Sequence, residues 1–279
     1  INSVVSYPEI ERTLLMLIEL RNKNEAHLVY PLHDFFPLCP SWTLVNENDE
    51  YCDIPTDYSV CARCLKNNTN DFKQLVSSTD ITQWRKTWGN LLHHCDEIRC
   101  FSQSSIDIFE KCYPEHHVRL TLIPHNISGR FENIYELLSD EIKQSNIIGV
   151  LGAINRPKGF NMIKQMVKFI EENNLDAKII VIGKLSGKIN SKVIHVTGTY
   201  DIDDLPSLIV RMKIAKFFIP SVWPETYSYT TDEVMQLGYP LYVFNIGAPA
   251  ERVLNYPLGR VIQFNEWKSI VQNNRTESV

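Results

Sequence analysis

No apolar run in this 279-residue sequence approaches the roughly 18–20 residues that a membrane-spanning helix needs. The longest, TLLMLIEL at residues 13–20, is shorter and carries a glutamate. A secretory leader is not visible at the front, where INSVVSYPEIERT has neither a basic start nor an apolar stretch. An initiator methionine is also missing, which suggests a fragment of a longer chain, with the cytoplasm as the expected location. The sequence has no strongly basic stripe, and its formal net charge is −5, so nucleic acid is a poor partner. A local basic pocket for a small anion is still open. Repeats and low-complexity segments are absent. An even, evenly spaced cysteine set is absent too: seven cysteines without an export signal argue against a disulfide framework.

What is present is an alternation of helical and strand patterns. PEIERTLLMLIELRNK (8–23) has helical apolar spacing and ends in basic residues, as a helix C-terminus favours. AHLVYPLHD (26–34), EIRCFS (97–102) and VRLTLIPH (118–125) read as strands, with helices over 80–95 and 104–113 between the last two pairs. Residues 35–79 read as a long irregular loop carrying Pro37, Pro40, Pro55 and a cysteine cluster, and such a loop inside a compact domain is usually functional or metal-pinned. After a polar connection at 126–145, the pattern resumes. Strands are expected at 146–153, 177–184, 192–198, 215–221 and 240–244, with helices at 159–174, 203–213 and 231–238. Strands separated by helices imply βαβ units and parallel sheets. The chain is therefore read as α/β, with two doubly wound Rossmann-like domains facing a cleft. An N-terminal domain spans 1–143 and a C-terminal domain 144–279. Ligands in such sheets sit at the carboxyl ends of the strands.

The residues just after each strand are therefore the ones that carry chemistry. INRPKG (154–159) places Arg156 and Lys158 where a helix begins, and Gly159 lets backbone come close. Cations beside helix N–H groups make an anion site, most naturally for phosphate, against the plainer reading of a solvated turn. KLSGK (184–188) is a second basic loop headed by Lys184. Glu225 stands on the loop after the strand AKFFIPS, and Glu233 on the helix that follows. Either carboxylate can be a mere dipole partner, but a carboxylate also accepts from a sugar's vicinal hydroxyls. His125, at a strand end, is a ligand candidate, whereas His93, His94, His116 and His117 are read as surface or packing residues.

These residues carry a resemblance. PSVWPETYSYTTDEVMQLGYPLYVFNIGAPAERV resembles the donor-site signature of the GT-B glycosyltransferases of group 1, the GT4 family: E-x7-E, a helix, a strand and a small-residue loop. GAINRPKG resembles that family's first loop of the C-terminal domain, with Gly152 followed six residues on by Lys158 and Gly159. LHDFFPLCP resembles its N-terminal HD strand end and IPHN its interdomain strand end. The resemblance implies a retaining transfer from a nucleotide-diphosphate sugar (UDP, GDP or dTDP type) to a glycan or lipid-linked acceptor, in cell-surface polysaccharide synthesis. It implies no catalytic metal, and it allows peripheral membrane association at the inner face. Glu225 would hold donor-sugar hydroxyls and Glu233 the ribose hydroxyls, with Lys158 at the diphosphate. His33 would lie by the sugar and Asp34 near the acceptor, making His33, Asp34 and Glu225 the catalytic set. Gly152, Arg156, Gly159, Lys184, His125 and the intervening Thr226, Tyr227, Ser228 and Tyr229 complete the donor site. Ala153 stands where the family often has arginine, and Ser228 where it often has glycine. The front of the N-terminal domain, a strand and glycine-rich loop in the family, is missing here, so that domain reads as truncated and further domains of a larger chain are expected partners. A GT-B nucleotide-sugar epimerase and a non-catalytic nucleotide-sugar-binding module of a larger protein are the alternatives.

Cys39, Cys52, Cys61 and Cys64 are spaced C-x12-C-x8-C-x2-C. Four thiolates, one pair as CxxC, can form a structural zinc site. The competing reading is reduced cysteines packed as small hydrophobes, which is the expectation for Cys95, Cys100 and Cys112.

Overall fold

The computed structural model describes residues 7–68, 80–126 and 129–272. The chain divides into two compact units, Ile1–His125 with Trp223–Tyr227, and Asn126–Val222 with Ser228–Val279. The division falls ahead of the expected break at 143/144. The polar connection folds onto the second unit instead of hanging free: the Ile134 and Tyr135 amides both donate to Leu237 O, at 3.2 and 3.3 Å.

The first unit holds a parallel sheet in the order β1 (Val29–Pro31), β2 (Glu97–Cys100), β3 (Arg119–Leu122). Each strand is shorter than its sequence pattern. Helix α1 (Tyr7–Asn24) turns Ile10, Leu14 and Ile18 inward at four-residue spacing. The expected loop 35–79 contains helix α2 (Tyr58–Asn67), started by the Asp57 carboxylate accepting from the Ser59 amide and held by buried Cys61 and Leu65. Residues 69–79 of that loop lie outside the described residues. Helices α3 (Ile81–His93) and α4 (Gln103–Cys112) are capped by Asp80 and Ser102.

The rest of the loop is pinned by buried donors reaching its carbonyls. Trp84 Nε1 donates to Phe36 O (2.8 Å), Arg85 Nε to Leu38 O (3.0 Å), Tyr113 Oη to Pro37 O (2.8 Å) and Asn68 Nδ2 to Val45 O (2.8 Å). Cys39, Cys52, Cys61 and Cys64 are free thiols, and among the described residues no group of three or more His, Cys, Asp or Glu side chains is placed to hold a metal ion. Cys61 lies in the core of this unit and Cys39 and Cys52 pack against it, while Asn68 Nδ2 donates to Cys64 Sγ (3.8 Å). Burial pushes Cys39 well above the usual thiol range, Cys52 up to about 11 and Cys64 up to about 12.

The second unit is a six-stranded parallel sheet, ordered β6 (Ile194–Val196), β5 (Lys178–Leu185), β4 (Ile147–Ile154), β7 (Lys216–Ile219), β8 (Leu241–Phe244), β9 (Gly259–Ile262). Its central strands are buried almost throughout, as a sheet covered on both faces requires. Helix α5 (Asp140–Lys143) precedes β4, and α6 (Phe160–Glu172) crosses from β4 to β5 with Met162, Ile163, Met166, Val167 and Ile170 inward. Helices α7 (Leu205–Arg211), α8 (Tyr229–Gln236), α9 (Gly247–Val253) and α10 (Lys268–Gln272) complete the unit. From β4 the chain winds outward to β6, returns to β7 beside β4, and winds the other way. The order therefore reverses between β4 and β7, the switch point where such sheets bind ligands. Among the described residues no helix is long and apolar enough to cross a membrane.

Candidate functional site

The switch point of the second unit is built from the loop after β4 and the chain after β7. The loop folds on itself: Asn155 Oδ1 accepts from the Lys158 amide (3.1 Å), and Asn155 O from the Phe160 amide (3.0 Å). Gly159 then takes φ +88, in the left-handed region that favours glycine. Its missing side chain matters as much as its torsion, because a Cβ there would stand 2.1 Å from Pro220 O. The Val222 amide donates to Pro157 O at 2.9 Å. The two chain segments thus touch backbone to backbone. Helix α6 starts directly behind, with Gly159 as its cap and no side-chain cap hydrogen bond. Arg156 and Lys158 are half-buried, and burial lowers the Arg156 pKa.

Glu233 lies on α8 of the same unit and is buried, at 7% exposure. Burial raises its carboxyl pKa; Arg130 and Lys158 pull it back, and Asp232 pushes it further up. Lys158 and Glu233 are thus within electrostatic reach of each other. Tyr200 joins them: burial and then the Glu233 charge push its phenol up to about 12. Behind this group, Asp232, at 4% exposure, is paired with Arg252 of α9 through Nε and Nη2.

Other expected residues stand differently. Gly152 and Lys184 are strand residues of β4 and β5, which run in register to Ile154 and Leu185, so Lys184 precedes its loop. Tyr229 is the first residue of α8 and is 50% exposed. Ser228 is buried and receives a hydrogen bond from Thr231 Oγ1 (2.9 Å).

The segment Trp223–Tyr227, with Glu225 in it, belongs to the first unit. Thr226 Oγ1 donates to His33 O (2.6 Å), and Tyr227 Oη to His125 O (3.0 Å). These two side chains, expected to bind donor, spend their hydroxyl protons on backbone carbonyls. Glu225 is 2% exposed, and its amide donates to Trp223 O (2.9 Å). At the carboxyl ends of β1, β2 and β3, His33, Phe101 and His125 form a ring stack: His33 to Phe101 4.9 Å, Phe101 to His125 4.3 Å. Tyr227 meets His125 edge-on at 4.8 Å. Asp34 beside it has a raised pKa from burial, opposed by the Phe36 amide and by His33.

Sequence reading missed Phe101, Arg130, Tyr200 and Arg252. Phe101 and Tyr200 each follow a strand and were open to the strand-end rule. Arg130 and Arg252 are exposed by no local pattern, because their partners on α8 are distant in sequence.

No family model and no curated protein matches the sequence. Solved structures do. Sucrose-phosphate synthase from Thermosynechococcus elongatus superposes with TM-score 0.54 at 13% identity, over 96% of this chain and 70% of that one. Anabaena HepE in complex with UDP gives TM-score 0.50 at 14% identity, over 86% and 59%. The chain spans only 38% of S. aureus TarM, at TM-score 0.48 and 12% identity. With its parallel sheets and its β4/β7 reversal, the chain has the fold of the GT-B glycosyltransferases.

Proposed function

We propose that the second unit binds a nucleotide-diphosphate sugar at the β4/β7 switch point and that the protein works as a glycosyltransferase. The observation that carries this reading is the convergence of Lys158, at the α6 N-terminus, with the buried Glu233 carboxylate at the end of the sheet where ligands bind. Lys158 and the α6 N-terminus meet the diphosphate, whose charge grows as the sugar leaves. Glu233 accepts from the ribose hydroxyls. HepE was solved with UDP and with UDP-glucose, which supports a donor of this class. Glu225 at the sugar hydroxyls, His33 by the sugar and Asp34 near the acceptor are carried over from the resemblance, as are retention of configuration, a glycan or lipid-linked acceptor, a role in polysaccharide synthesis and a cytoplasmic location. The alternative reading, a nucleotide-sugar-binding module without transferase activity, is distinguished from it by turnover.

Calorimetric titration with UDP, GDP and dTDP tests the reading. At least one binds, and Lys158→Ala weakens it by about 1.5–3 kcal/mol, the scale of a charge-assisted hydrogen bond. Failure of all three nucleotides to bind overturns the proposal. Slow hydrolysis of a nucleotide sugar that Glu225→Ala abolishes favours the transferase; tight binding without turnover favours the module.

A further inference from the structure

The first unit holds a cavity of about 360 Å³ between the last turns of α3 and α4 and the connection that leads into β3. Those helix ends run into the amino ends of β2 and β3, whereas His33, Phe101 and His125 follow the carboxyl ends of the strands. The cavity therefore lies apart from the candidate site. Its floor is apolar and buried: of Leu92, Phe109, Cys112 and Val118, none is more than 9% exposed. One wall is the Tyr113 ring. It lies so close to Gly89 that a Cβ there would stand 3.2 Å from Tyr113 Cε1. Gly89 sits inside α3, where glycine is unfavourable, and its missing side chain admits the ring.

The mouth is polar and rich in acceptors. Glu115 and His93 are exposed there. His116 Nδ1 is 3.2 Å from Val118 O. A carbonyl only accepts, so this nitrogen carries the proton, and Nε2 of the neutral ring is left as an acceptor. Glu110 Oε1 stands 4.0 Å from that Nε2. Helices α3 and α4 both end here, and a helix C-terminus favours positive charge. A dry cavity of about 150 Å³ holds benzene, so this one has room for a two-ring body with a short arm.

We propose that the cavity binds a small apolar molecule with a cationic amine head. The body packs on Leu92, Phe109 and Val118, and the amine meets Glu115 and His116 at the mouth. The inference goes beyond the nucleotide-sugar reading and does not rest on it. Its effect reaches further into the unit through Tyr113, whose hydroxyl donates to Pro37 O (2.8 Å). A body seated against that ring steadies the turn in which the Leu38 and Cys39 amides donate to Phe35 O (2.9 and 3.0 Å), directly after His33 and Asp34.

Calorimetric titration tests the site, with tryptamine as the probe and indole-3-propionate as its anionic counterpart. Tryptamine is expected to bind saturably and about fivefold tighter than the acid, the scale of an exposed ion pair. Glu115→Gln removes most of that preference, and Leu92→Trp, which fills the cavity, abolishes binding. Thermal melts confirm that each variant is folded, and Cys112→Met, a smaller filler, takes the place of Leu92→Trp if that variant is not. Hydrogen exchange reads the link: tryptamine slows the Leu38 and Cys39 amides in the unsubstituted chain and not in Tyr113→Phe, which keeps the ring and loses the hydroxyl. No saturable tryptamine binding, equal affinity for the two probes, or binding that survives the filled cavity overturns the site. Exchange that tryptamine leaves unchanged, or slows equally in Tyr113→Phe, overturns the link through Pro37.

Discussion

Gly159→Ala separates two reasons for a glycine, and a second glycine supplies the control. Gly159 and Gly198 have nearly the same backbone, φ +88 and +82, but a Cβ on Gly198 would meet nothing within 4 Å, while one on Gly159 would stand 2.1 Å from Pro220 O and 2.6 Å from Pro220 Cβ. Left-handed strain costs an alanine about 1–2 kcal/mol at either position. At Gly159 the backbone of the β4–α6 loop must also move away from the end of β7, and overpacking of this kind adds about 1–3 kcal/mol. For a unit of this size about 2–4 °C of melting temperature accompanies each kcal/mol. Gly198→Ala should then lower Tm by about 2–8 °C, and Gly159→Ala by about 4–20 °C. Differential scanning calorimetry of the two variants side by side gives the comparison. Because Pro157 O also accepts from the Val222 amide, the displaced loop carries Lys158 with it, and nucleotide affinity should fall in Gly159→Ala alone. If the two alanine variants melt together and bind alike, the backbone contact does not shape the loop, and the account of the site is wrong.

Two further predictions concern buried charge. Arg252→Met removes the guanidinium paired with Asp232, a carboxylate at 4% exposure, and should destabilise by about 3–5 kcal/mol in denaturant titration; adding Asp232→Asn should recover more than half, and no recovery would show that the two residues act separately. Lys216, in the all-buried strand β7, has its pKa lowered by burial to about 8 from 10.5. Its charged form is penalised by folding, so the stability that Lys216 withholds is fully missing below about 8 and returns as pH rises toward 10.5. Lys216→Met should therefore raise stability at pH 7, by at most about 3 kcal/mol, with the gain shrinking across that window; a pH-independent gain would assign the effect to packing.

The second unit was the more legible in sequence. Its strands are continuous apolar runs, its helices amphipathic, and Gly238 stops α8 with φ +79. Even so, α8 starts at Tyr229, ahead of the expected residue 231. Strand-end reasoning pointed to Lys158, Gly159 and Glu233 because a parallel sheet delivers the residues after its strands to one end. It could not find Arg130, whose amide donates to Gln236 Oε1 (2.9 Å), nor the pairing of Arg252 with Asp232, which depends on how α9 packs on α8. Thr226 and Tyr227 lay inside a donor motif but bond the carbonyls of His33 and His125. In the cysteine loop, the donors that reach the carbonyls of Phe36, Pro37 and Leu38, namely Trp84, Tyr113 and Arg85, lie on α3 and just past α4, where no local pattern announces them.

That last arrangement has a temporal side. The Tyr113 hydroxyl that fixes Pro37 comes 76 residues later in the chain, and the Arg85 guanidinium that fixes Leu38 comes 47 later. A growing polypeptide therefore exposes the His33–Asp34 end long before it can be shaped. Non-local contacts of this kind must meet the loop-closure entropy before they reward it, which makes them late compared with local helices. The wall expected to face the sugar should thus be among the last parts of the first unit to take form, and a truncation anywhere before Tyr113 should leave it shapeless even where β1 itself is intact.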